Sequence, residues 1–124
     1  MKAGIFAVFT ALVMCCLLCV FVVLPAKESN AGKCRHIVEI NTLISEAISI
    51  GAPTYNQGNH AGCYTIYEGA SYKILYLYGD HCKETKQVLQ EALEKASQDF
   101  TYTEKAWTLR RAFDFILGVP TQTK

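Results

Sequence analysis

Proline and tryptophan are scarce in this 124-residue chain, at three and one, and no low-complexity tract or run of like charge interrupts it. Several chemical signatures are missing as well. Without Cys-x-x-Cys-His, covalent attachment of a c-type haem is excluded. No Gly-rich loop follows a strand pattern, so nothing supports a phosphate cradle. Gly-x-Ser-x-Gly and His-Glu-x-x-His are absent too, removing the simplest routes to a serine hydrolase or a zinc protease. Neither sign of charge is in excess: residues 32–124 carry ten Lys+Arg and ten Asp+Glu. A nucleic-acid partner would select for concentrated basic surface, so that class is disfavoured. A near-neutral surface instead favours association over mutual repulsion.

The first thirty residues differ from the rest. Met1-Lys2 supplies a positive start, and Ile5 to Leu24 is an uncharged run rich in Leu, Val, Phe and Cys, broken by Pro25. Ser29-Asn30-Ala31 then sets small residues at the −3 and −1 positions that signal peptidase requires. The reading is a signal peptide over 1–31, cleaved after Ala31. The alternative is an uncleaved anchor, since the run is long enough to span a bilayer at about 1.5 Å per residue. Either way the remainder is expected outside the cytosol, in a periplasmic or equivalent compartment. Cleavage leaves no stable membrane insertion. The remaining residues suffice for one modest core: a single domain over 32–118 and a tail over 119–124.

That domain reads as all-α, a small antiparallel four-helix array. The first helix spans about His36 to Ile50, with Ile37, Ile40, Leu43, Ile44, Ala47 and Ile48 at three- and four-residue spacing. Gly51-Ala52-Pro53 is expected to stop it, because proline lacks a backbone N–H and restricts the residue before it. The second follows Asn59 as N-cap and ends at Gly79, although Tyr72 to Tyr78 taken alone could alternate as a strand. The third runs from about Cys82 to Gln98. The fourth starts near Thr101 or Thr103, Thr101 and Glu104 fitting a capping box, and ends at Gly118.

Helix geometry constrains the cysteines. Cys63 lies in the first turn of the second helix and Cys82 just past its end, roughly 24 Å apart at about 1.5 Å per residue. A disulfide tolerates Cα atoms only up to about 7 Å apart, so those two cannot pair. An antiparallel return brings Cys82 beside Cys34, and in an exported protein a bond between them is the default. It would close a loop of about 49 residues, stabilising by roughly 4 kcal/mol on chain-entropy grounds. Cys63 is left as a buried free thiol. His36 and His81 flank the pair, so Cys34, His36, His81 and Cys82 form an alternative zinc or copper ligand set. His60 is expected at the other end of the hairpin, as a first-turn surface residue.

No set of residues commits the chain to catalysis, and no cofactor is implied. His60 and Cys63 share a helix face, but nothing identifiable orients the imidazole. What stands out is aromatic surface. The second helix carries Tyr64, Tyr67, Tyr72, Tyr76 and Tyr78, with apolar positions almost all round. Either it is central, or it presents Tyr72 and Tyr76 to a partner. Trp107, Arg110, Arg111 and Phe115 lie off the buried face of the fourth helix, and Trp with Arg is typical of interface anchors. These six residues are the expected interaction set, for a protein partner and for self-association.

Gly51, Cys63, Tyr67 and Ala70 stand at intervals of twelve, four and three. In this the first hairpin resembles half of a tetratricopeptide repeat, departing from it at Pro53 and in showing no second 34-residue period. The resemblance implies a helical hairpin used for protein contact. With Trp107-Thr108-Leu109-Arg110 and Phe113-Asp114 added, the chain looks like a group of small exported bacterial helical proteins. As a whole it is similar to the family of tubule-inducing accessory subunits associated with nitrite oxidoreductase in anaerobic ammonium-oxidising bacteria. That likeness implies self-association and binding to a large metalloenzyme complex, without catalysis by this chain.

Overall fold

A computed structural model describes residues 34–120. The apolar N-terminal run, the cleavage site after Ala31 and the last residues of the tail lie outside the described residues. Four helices follow in order: α1 (Ile37–Asn56), α2 (His60–Tyr78), α3 (Lys83–Gln98) and α4 (Tyr102–Leu117). The described residues contain no strand, so Tyr72 to Tyr78 simply continues α2. None of these helices is long and apolar enough to cross a membrane.

The helix ends follow local chemistry. Asn59 caps α2, its side-chain oxygen accepting from the Gly62 N–H at 2.9 Å. Thr101 caps α4 reciprocally: its Oγ1 accepts from Glu104 N–H at 3.2 Å, and its own N–H donates to Glu104 Oε2 at 3.1 Å. Gly118 closes α4 at φ 71, and the Val119 N–H reaches back to the Asp114 carbonyl. Gly79 ends α2 differently, with an ordinary right-handed φ of −56.

The sequence placed the end of α1 near Ile50, and the structure overturns this. The helix runs through Gly51 and Pro53 to Asn56. Pro53 forfeits one backbone bond near the end of the helix, a cost of about 3 kcal/mol in a full interior. Local bonds soften it: Thr54 Oγ1 donates to the Ile50 carbonyl at 2.7 Å, and Pro53's own carbonyl accepts from Gln57. The extra turn also carries Tyr55 onto His60 and Trp107, and seats Gly51 so close to the Tyr67 ring that a methyl group there would collide with it. Packing overrides the proline.

Antiparallel pairs α1/α2 and α3/α4 join chiefly through α2 against α4, while α1 and α3 do not meet. The core runs through that join: Ile40 and Ile44 of α1, Tyr67 and Ile74 of α2, Leu89 of α3, Leu109 and Phe113 of α4. Phe113 meets the Tyr67 ring edge-on at 5.4 Å, a favoured aromatic geometry. The α3–α4 turn is tied down by polar bonds, with buried Thr108 donating to Asp99 at 2.6 Å and Lys105 Nζ to the Ala96 carbonyl at 2.8 Å. Ahead of α1, Cys34 stands at disulfide distance from Cys82, with Cα atoms 4.9 Å apart, and Cys63 is free and buried.

Candidate interaction faces and an aromatic cleft

The α2 helix buries Cys63, Tyr67, Ser71 and Ile74 on one side. Its tyrosines divide accordingly. Tyr64, Tyr67 and Tyr78 pack against the core, whereas Tyr72 is 56% and Tyr76 89% exposed. The exposed positions Thr65, Gly69, Tyr72 and Tyr76 advance by four, three and four, so they form one outward stripe. On α4 the expected set separates. Phe115 is 57% exposed, and Arg111 is exposed with Nη2 donating to Thr108 Oγ1 at 3.3 Å. Trp107 is 47% exposed and its Nε1 donates to the Tyr55 hydroxyl at 3.1 Å, while the half-buried Arg110 pairs through Nε with Asp114 Oδ1 at 2.9 Å.

Sequence reasoning missed several exposed apolar groups and two packed rings, Tyr55 and His60. Phe100, 98% exposed in the α3–α4 turn, and Val38 on α1 are large apolar side chains left in solvent. Tyr55 was read as loop because it follows Pro53. His60 was expected as a surface residue, yet its ring stacks on Tyr55 at 4.2 Å and its Nδ1 lies 2.9 Å from Thr103 Oγ1. A bond across more than forty residues has no local signature.

At the disulfide end, His36 stacks on Tyr78 with ring centroids 5.2 Å apart and meets His81 edge-on at 5.5 Å. The alternative metal set of Cys34, His36, His81 and Cys82 needs two thiolates, and the structure joins those sulfurs to each other. Among the described residues no three His, Cys, Asp or Glu side chains converge on a metal position.

The ends of α1, α2 and α4 leave a cleft of about 250 Å³, lined chiefly by Tyr55, Cys63, Tyr67, Trp107 and Arg110. Burial pushes the Cys63 thiol up, against the pull of its Tyr67 hydrogen bond and the Arg110 charge. It is therefore a poor nucleophile at neutral pH. Burial, then hydrogen bonding with Cys63, pushes the Tyr67 phenol up to about 12. Burial works against the charged Arg110 guanidinium, but its bonds to Asp114 and Tyr67 outweigh that and keep it protonated. A cation thus lies beside a neutral phenol and thiol, walled by aromatic rings. Compared with known protein families, curated proteins and solved structures, the chain matches none.

Proposed function

We propose that this chain is an exported, non-catalytic assembly or accessory protein that works through its aromatic helical faces. The observation behind this reading is the outward pair Tyr72 and Tyr76 on a helix whose opposite side is already committed to the core. An exposed tyrosine pair adds nothing to this core, while at an interface each ring offers large area and one polar tip. Phe115 and Phe100 are further exposed aromatic side chains, and the balance of charge removes long-range repulsion between copies. The resemblance to tubule-inducing accessory subunits supplies the partners: further copies of this chain and a large metalloenzyme complex outside the cytosol.

Sedimentation of the exported form tests the reading. The wild-type chain is expected to associate with rising concentration, and Tyr72→Ala/Tyr76→Ala to shift it toward monomer without lowering the melting temperature. Phe115→Ala should act in the same direction. A wild-type chain that stays monomeric and retains no protein from its native host would refute the proposal.

A further inference from the structure

The cleft has a chemistry that the outward aromatic faces do not use. Tyr55 and Trp107 form one wall, their rings 6.0 Å apart and edge to face. Each is fixed independently of any occupant: Trp107 bonds the Tyr55 hydroxyl, and Tyr55 stacks on His60, which is bonded to Thr103. Ala52 and Ala106 line the space with side chains too small to fill it.

Charge is concentrated at Arg110, with the Asn56 amide as a further polar group in the lining. Among the described residues Arg110 is the one charged side chain lining the cleft, because its partner Asp114 is not part of the lining. A guanidinium carries five N–H donors in a fixed fork. Nε is committed to Asp114 and another donor to Tyr67, which leaves donors for a planar acceptor. Apolar and aromatic walls around one convergent charge are the usual makeup of a small-molecule site. At about 250 Å³ the volume falls below that of drug-sized pockets, which begin near 300 Å³, so the occupant is small.

We infer that this cleft binds a small planar carboxylate, the size of a one-ring aromatic acid, with its ring against Tyr55 and Trp107 and its carboxylate on Arg110. The inference stands apart from the assembly reading, since Tyr72 and Tyr76 take no part in it. A disulfide-stapled helical array would then carry a ligand site between α1, α2 and α4, where occupancy adds contacts across three helices.

Trp107 is the chain's single tryptophan, so its fluorescence reports on the cleft directly. Titration of the full exported chain with benzoate, checked by calorimetry, is expected to saturate. Benzamide keeps the ring without the charge and acetate the charge without the ring; each should bind at least about tenfold more weakly. Arg110→Gln should weaken benzoate by a similar factor, and Ala52→Leu, which fills the cleft, should abolish binding. Asp114→Asn should tighten it by freeing Arg110. Failure to saturate by about 10 mM benzoate, equal response to benzamide, or indifference to Ala52→Leu would overturn the inference. Should Arg110→Gln lose its helical circular dichroism, the wild-type probe series and Ala52→Leu decide the matter.

Discussion

Tyr67 of α2 connects three of the four helices. Its ring lies over Gly51 of α1 and against Phe113 of α4, and its backbone carbonyl accepts from buried Ser71 at 2.8 Å. Its hydroxyl links Cys63 and Arg110. The fully buried ring fits because Gly51 has no side chain, so Gly51→Ala would force α1 and α2 apart. The phenol also gives the fold an alkaline limit. The folded chain holds the Tyr67 proton up to about pH 12, while an unfolded tyrosine releases it near 10.0. Stability from this group is therefore complete below about pH 10 and falls as pH rises toward 12. Urea denaturation across that range should show a shallower decline for Tyr67→Phe, which keeps the ring and removes the proton. An equally steep decline in both chains would contradict the assignment.

At the level of elements, the outlier is the last turn of α1. Its sequence argues for a stop, and only contacts with other helices keep it helical. Pro53→Ala restores a backbone donor to that turn, recovering part of the roughly 3 kcal/mol that an interior proline costs. It also loosens the unfolded chain, which offsets about 0.4–1 kcal/mol. A net gain of about 1–2 kcal/mol is expected by chemical denaturation, with helix content unchanged. Lower stability in Pro53→Ala would mean that proline rigidity outweighs the missing bond. The other helices were legible because their signals are local: Asn59, Thr101 with Glu104, and Gly118 each act within a few residues of themselves.

Across the whole molecule, Cys34 to Cys82 fastens the start of α1 to the start of α3, a separation of 48 residues. Because α1 and α3 share no other contact, α1 is held by this link at its start, by packing on α2 along its length and by the Tyr55–Trp107 contact with α4 near its end. Cys34→Ser/Cys82→Ser is expected to cost up to about 4 kcal/mol, read as a lower melting temperature that reductant does not lower further. Identical melts for the variant and the oxidised wild type would show that the bond adds nothing. The opposite end, built from Tyr55, His60, Thr103 and Trp107, has no covalent tie and relies on stacking and two hydrogen bonds.

The sequence by itself determined the helix count, three of the four helix endings and the cysteine pairing. Each follows from short-range rules: apolar spacing, capping chemistry and the fixed rise of a helix, which leaves Cys63 out of reach of Cys82. It could not say whether Tyr72 and Tyr76 face the core or solvent, because apolar positions circle α2 and periodicity loses its direction. Nor could it find the cleft, whose walls come from residues as far apart as Tyr55 and Trp107. Those outcomes belonged to tertiary structure, since which face is buried and which gap stays open depend on where neighbouring helices pack. The scarce residues show the same division: Pro53 spoke for a helix end that packing overrode, and the single tryptophan became a cleft wall only when α4 met the last turn of α1.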